Sequence, residues 1–352
     1  MADQHRRTDA GIVSPDGHLA EPILELDHLR TDLPVNGGLQ PVVRDVSVVV
    51  AQGEAVGLVG ESGSGKSITA RSVVGLLPHG SRVEGGVRIA GVDRLSMSGE
   101  ELRRVRAEQV AMVFQDPRAH VDPLWRIEDY VGEGLRAHKG LTRAAARERS
   151  ATLLTSLGIV DPDRVLRSYP GELSGGMLQR VMIAGALSCE PALIIDDEAT
   201  TALDVTVQTD ILAIFQDLRA STGLSLLFIT HDLGLASVIC DRIVVMYAGH
   251  IMAIQDSASL FTAPAHPYAA ALVAARPKSD RRVERLPSVP GRPVSALEAP
   301  TGCPFRTRCA YALDACAEAD MTLTPLAPSV SSSCVRMADI ADALVESVAG
   351  DD

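Results

Sequence analysis

Aromatic residues are scarce in this chain. Phe, Trp and Tyr make up 3% of its 352 residues while the apolar fraction is 46%, so a core has to be built from aliphatic side chains. That composition suits the buried Val, Ile and Leu strands of an α/β fold. Basic charge is also short. The 33 Lys and Arg stand against 45 Asp and Glu, a net charge of −12, which argues against nucleic acid as a partner. No apolar run approaches the roughly 18 residues of a membrane-crossing helix. The longest, such as "RIVVMYAGHIMAI", are interrupted by Arg, Gly and His. The opening "MADQHRRTDAGIVSPDGHLAEP" has no apolar core of signal-peptide length. A cytosolic chain is expected, touching a membrane through a partner. Its six cysteines then read as metal ligands or plain thiols rather than disulfides.

Residues 1–20 are polar with scattered Gly and Pro, and read as a disordered tail. "ILELDHLRTDL" alternates as a strand with one face in water. "PVVRDVSVVVAQGEAVGLVG" reads as two strands about the turn Gln52-Gly53, the second running into a Gly-rich loop. A helix is expected over 68–77, ending near Gly75, and a strand over 84–92. "TRAAARERSATLLTSLGI" has helical spacing with Arg on one side and Ala and Leu on the other, which suggests a helical insertion. "PALIIDDEA" and "LSLLFITHD" are short apolar runs with polar ends, as buried parallel strands require. From about Ala263 the composition turns to Pro, Arg and Cys, marking a separate C-terminal segment.

"GESGSGKS", Gly60 to Ser67, matches G-x-x-x-x-G-K-[ST] between a strand and a helix. Its residues, Gly60, Glu61, Ser62, Gly63, Ser64, Gly65, Lys66 and Ser67 with Ile68 following, form a phosphate loop. Glycines let backbone N–H groups approach phosphate oxygens, and the helix that follows turns its positive end toward them. Lys66 would reach the β and γ phosphates and Ser67 would ligate Mg²⁺. "LIIDDE", Leu193 to Glu198, ends an apolar strand in three acids. Asp197 is assigned to the metal through water, Glu198 to the base that activates water for attack on the γ-phosphate, and Asp196 to a solvated or ion-paired role. "FITHD" places His231 at a second strand tip, where it suits a γ-phosphate sensor. Gln115 in "VFQDP" also ends a strand.

Together these stretches resemble the nucleotide-binding subunits of ATP-binding cassette transporters over residues 22–262. The order is phosphate loop, Gln115, signature "LSGGM" (Leu173–Met177), "LIIDDE", "ALD" (Ala202–Asp204), then His231. The resemblance implies a P-loop NTPase fold: a RecA-like core, an antiparallel β subdomain and a helical subdomain at about 118–176, all within an ATPase domain over 21–262. It further implies that two cassettes pair head to tail. Ser174, Gly175 and Gly176, opening a helix, would then offer N–H donors to ATP held by the partner. Gln115 would contact Mg²⁺, sense the γ-phosphate and couple to the membrane subunits.

The flanking words "GLVGESGSGKS" and "VMIAGALSCEPALIIDDEATTALDVTVQ" look like the subfamily that imports dipeptides, oligopeptides and sometimes nickel. "APAHPYAAAL" and "GCPFRTRC" resemble its C-terminal extension, assigned to 263–340 with a tail at 341–352. That resemblance implies a second, different ATPase subunit, two membrane permeases and an extracytoplasmic peptide-binding protein, with this chain on the cytoplasmic face. His266 and Tyr268 are expected in packing and a dimer interface. There are departures. "DEAT" puts Ala199 where Pro is usual, which should loosen the turn. Leu33 lies near the place where the family stacks an aromatic on adenine, so stacking would come from elsewhere or ATP affinity would be weaker. "DPRAHVDPLWRIEDY" after Gln115 also departs from the family wording, on the side that should face the permease.

Cys303, Cys309, Cys316 and Cys334 cluster with gaps of five, six and 17 residues, unlike paired C-x-x-C knuckles. Some relatives carry a four-cysteine iron–sulfur site there. A [4Fe–4S] cluster, zinc and unligated thiols all stay open. Cys189 and Cys240 read as small core residues. The favoured function is an ATPase energising peptide uptake. The alternatives are a soluble cassette ATPase acting on ribosomes or nucleic acid, and a regulatory cassette that hydrolyses weakly.

Overall fold

The computed structural model describes residues 21–199, 205–276 and 288–349. Two sheets carry the architecture. β1 (Pro22–Val35) and β2 (Gly38–Ala51) form a long antiparallel hairpin. Its turn is Asn36-Gly37, both at positive φ, the pair that a type I′ hairpin turn favours. β4 (Arg82–Ile89) and the two-residue β5 (Val92–Asp93) complete this first sheet in the order β2-β1-β4-β5.

The second sheet has eight strands. Its centre is β3 (Ala55–Val59), β7 (Leu193–Asp197) and β8 (Ser225–Thr230), every residue of which is buried. Covered on both faces, such strands can be continuous apolar runs and need no alternation. β6 (Val110–Val113) lies outside β7, and β9 (Arg242–Tyr247) lies on the far side of β3, all parallel. β10 (His250–Asp256) then adds antiparallel to β9. Parallel strands send their C-terminal ends to one edge, where ligands bind in open α/β sheets. The phosphate loop, Gln115, Glu198 and His231 all follow such ends.

Helices Pro117–His120, Ile127–Ala137, Arg143–Ser156 and Pro162–Arg167 form the insertion. Ile127, Val131 and Leu135 recur at every fourth position as one buried stripe, and Ile127 and Val131 join the same core as Leu154, Val165 and Leu178. Each such burial contributes roughly 1.5–3 kcal/mol.

The C-terminal part differs from the expected separate segment. β11 (Thr324–Ala327) and β12 (Val330–Ser332) extend the main sheet, β12 pairing with β10 through Ala253↔Ser332 and Ile254↔Ser331. The expected tail from 341 lies largely within helix Met337–Ala349. Ile340 and Leu344 are buried there with Ala270 of helix Pro267–Ala274. His266 and Tyr268 are buried within the chain, which leaves their rings no free face for a dimer interface. Their rings sit with Phe305 and Tyr247 in one aromatic cluster. Cys189 and Cys240 are buried, as small core residues should be.

Candidate functional site

β3 ends at Val59 and the chain turns through Gly60–Gly65 into helix Lys66–Val74, which stops at the left-handed Gly75. Two glycines of the loop are required by space. A Cβ on Gly60 would stand 2.0 Å from the Met246 carbonyl oxygen, and Gly65 sits at φ +105°. The loop opens a cleft of about 340 Å³, in the size range of small-ligand sites. It is lined by Ser62 to Ile68, Gln115 and Glu198, with Leu33, Val42 and Ser295 to Leu297 at the other parts of its wall.

Lys66 is nearly inaccessible, 4% exposed, and its Nζ donates to the carbonyls of Gly60 (2.8 Å) and Glu61 (3.1 Å). Burial pulls its ammonium below the usual range, while Glu198, 3.4 Å away, opposes that fall. Ser67 Oγ donates to Asp197 Oδ1 at 2.6 Å. Burial holds the Asp197 carboxyl above its ordinary value, against the Ser67 hydrogen bond and the nearby Arg71. These two oxygens meet beside the phosphate loop, and the donor set suits Mg²⁺. That ion commonly takes only one or two protein oxygens and completes its shell with phosphates and water.

Glu198 is the hub. Its backbone has φ +55°, and its N–H donates to Ile229 of β8 at 3.0 Å. The left-handed turn aims its carboxylate back into the cleft, where strain of this kind is typical of functional positions. Gln115 Nε2 stands 3.5 Å and His231 Nδ1 3.6 Å from Glu198 Oε2. Lys66, Gln115, Glu198 and His231 therefore meet around one carboxylate. The arrangement can hold a polyphosphate, order a water beside it and accept that water's proton.

Asp196 is not at the surface. It is fully buried, its Oδ1 accepts the Ala199 N–H at 3.0 Å, and burial pushes its carboxyl up to about 7. The expected solvated role is wrong for a physical reason: β7 is covered on both faces, so its side chains are buried whichever way they point. The same bond ties Ala199 into the turn through an N–H that proline lacks.

The loop's Glu61 also behaves unlike its neighbours. Its carboxylate engages the buried Arg308 (Nη1–Oε2 2.5 Å, Nη2–Oε1 3.1 Å), and its N–H donates to the Tyr268 hydroxyl at 2.9 Å. Arg308 also donates to the carbonyls of Val289 and Pro290. Sequence reasoning missed this pairing because the two residues lie 247 positions apart. It likewise missed that Ser295 to Leu297 reach the cleft. "ALD" at 202–204 lies outside the described residues.

The signature residues do not join this cleft. Ser174 caps helix Gly175–Leu187, its Oγ accepting the Met177 N–H at 3.3 Å, and Gly175 is exposed beside it. In the C-terminal part, Cys303, Cys309, Cys316 and Cys334 are all free thiols. Burial first, then the neighbouring thiols, push Cys303 up to about 11, and Cys309 and Cys334 are raised for the same reasons. Among the described residues, however, no group of three or more such side chains is placed to hold a metal ion. The thiols gather without forming a cage.

Residues 43–201 match the ABC transporter family, and residues 253–316 match the family described as oligopeptide/dipeptide transporter, C-terminal region. The chain is 39% identical to the oligopeptide transport ATP-binding protein OppD of Salmonella typhimurium, covering 90% of this chain and 94% of that one. It is 40% identical to OppD of Escherichia coli, over 85% and 89%. A dimeric bacterial ABC transporter cassette superposes with a TM-score of 0.60 at 25% identity, covering 66% of this chain and 98% of that one. A post-hydrolysis dimer of the same cassette with ADP and Pi fits equally well. The chain thus belongs to the ABC transporter family, as an ATP-hydrolysing cassette extended by the oligopeptide/dipeptide-transporter type of C-terminal region.

Proposed function

We propose that this chain drives uptake of dipeptides and oligopeptides from the cytoplasmic face of a membrane importer. The observation that carries the reading is the meeting of Lys66, Gln115 and His231 around Glu198 in a chain that also has the peptide-transporter extension. Glu198 takes a proton from the attacking water, His231 and Gln115 fix its geometry against the γ-phosphate, and Lys66 moves to the β and γ phosphates. Ser67 and Asp197, with Gln115, would hold Mg²⁺, which would supply charge neutralisation on those phosphates. Ser174, Gly175 and Gly176 serve ATP bound by a second cassette. The lack of contact between that helix start and the chain's own phosphate loop supports this.

The partners are a second, different ATPase subunit, two permeases and an extracytoplasmic peptide-binding protein. A second cleft, about 450 Å³, suits permease docking. It is lined by Leu124, Trp125 and Tyr169 with Arg126, Glu128 and Arg143. Leu124 is 82% exposed, an apolar side chain held out beside Gln115's own segment. The four C-terminal thiols are proposed to draw together around a [4Fe–4S] cluster, supported by their number, softness and free state. Iron and acid-labile sulfide in anaerobically purified protein test that point, and absence of both would refute it.

The test of the function is recovery of the tagged chain from gently solubilised membranes, with its partners identified by mass spectrometry. Two permeases and another cassette ATPase are expected. Recovery with ribosomes or DNA-bound proteins alone would overturn the importer.

A further inference from the structure

Among the described residues, none lining the β1 side of the cleft offers an aromatic face for a nucleobase. The cleft wall there is Leu33 and Val42, and the rest of that wall comes from the far end of the sequence, Ser295, Ala296 and Leu297. These three residues are fixed against the phosphate loop by bonds of their own. The Ala296 N–H donates to the Gly63 carbonyl at 3.0 Å, and Arg44 of β2 donates to the Ala296 carbonyl at 3.4 Å. One residue earlier, the Val294 N–H donates to the buried Tyr247 hydroxyl at 3.0 Å. Ser295 packs so close that a Cβ built on Gly63 would lie 3.6 Å from its Cβ. The short 3₁₀ turn Ala296–Glu298 that follows leaves Leu297 47% exposed. The phosphate end of the cleft is set by Lys66 and the loop, so a bound nucleotide must lay its base along the remaining wall.

We propose that Leu297 of the C-terminal extension, with Leu33, forms the nucleobase subsite. The ligand class is the purine of a nucleoside di- or triphosphate, held between aliphatic faces rather than stacked on a ring. The proposal rests on the ATP reading of the phosphate loop and deepens it: the extension becomes part of the nucleotide site. The flat faces of a purine lose water against Leu33 and Leu297 and gain close contact, which a charged side chain would forfeit. The three lining side chains Leu33, Val42 and Leu297 carry no polar atom, so recognition there works by shape and apolar contact.

The experiment is calorimetric titration of the full chain with Mg-ADP and, separately, Mg-pyrophosphate. Leu297→Asp is expected to weaken ADP about tenfold and leave pyrophosphate unchanged. Leu297→Met keeps an apolar face and should lose far less ADP affinity than Leu297→Asp, and Leu33→Tyr should tighten ADP alone. Unchanged ADP affinity in Leu297→Asp would overturn the subsite. Equal loss of ADP and pyrophosphate would also overturn it, since the turn would then act only through the phosphate loop. Failure of the unmutated chain to bind either ligand would instead sink the nucleotide reading beneath it. Photolabelling with 2-azido-ADP gives an independent readout: label on the peptide containing Leu297 is expected, and label confined to residues 22–262 would refute the assignment.

Discussion

The cassette core and the C-terminal extension are stabilised by different means. In the core, β3, β7 and β8 are buried from end to end, and stability comes from aliphatic layers on both faces of the sheet. The extension has little regular structure of its own over 288–323 beyond short 3₁₀ turns. It is held by a few polar and aromatic anchors: Arg308 on Glu61, Tyr268 on the Glu61 N–H, and Tyr247 on Val294. Two short strands lengthen the sheet and one helix packs on Pro267–Ala274. The contrast suggests a division of tasks. The core supplies chemistry and bulk stability, while the extension fixes the position of the loop on which that chemistry depends.

The comparison can be broken most forcefully on the chemical side. Glu198→Gln should lower ATP turnover by roughly 10²–10⁴-fold, the span of general-base contributions, while nucleotide binding persists. Wild-type turnover in a single-turnover assay would sink the base assignment. On the extension side, Arg308→Met leaves the Glu61 carboxylate without its cation. Removing one partner of a buried pair costs about 3–5 kcal/mol, and the lower end is expected because Glu61 is 23% exposed. Thermal unfolding should show the loss, and adding Glu61→Gln should recover part of it.

A finer probe uses His266, which burial pulls down to about 3. The unfolded chain takes up this proton near pH 6.5 and the folded chain does not. Stability is therefore fully present above 6.5 and falls as pH drops toward 3. Between pH 6.5 and 4.5 this amounts to about 2.7 kcal/mol at most. His266→Asn retains an acceptor for the Tyr268 N–H and should flatten that slope in denaturant titrations across pH. A comparable effect is expected at the turn. Ala199→Pro deletes the donor to buried Asp196 and should cost about 1–3 kcal/mol. In Asp196→Ala the same change should cost far less, and an equal cost in both backgrounds would separate the two residues.

What could be read from the sequence follows the range of the interactions. The phosphate loop was legible because strand, glycines, lysine and helix start lie within a dozen residues. Glu198 and His231 were legible because an apolar run ending in a polar residue marks a strand tip. Asp196 was misread since a run of three acids looks solvated, and only the covering of β7 on both faces shows otherwise. The tail at 341–352 was misread because its helix has a single buried stripe, Met337, Ile340 and Leu344, whose partner is far away in sequence. Arg308 lies in "GCPFRTRC", which marked the extension but not the partner of its arginine, and Leu297 left no local signal. A pair 247 residues apart has no periodicity to betray it.

That same separation sets an order of events during synthesis. Glu61 is made 247 residues before its cation, and at roughly 5–20 residues per second the wait is about 12–50 s. A growing chain that already contains every phosphate-binding motif still lacks the arginine that seats one of them. The nucleotide site is therefore finished only when the extension folds back, so a chain cut short before Arg308 would emerge with its motifs present and the Glu61 carboxylate of its phosphate loop without that cation.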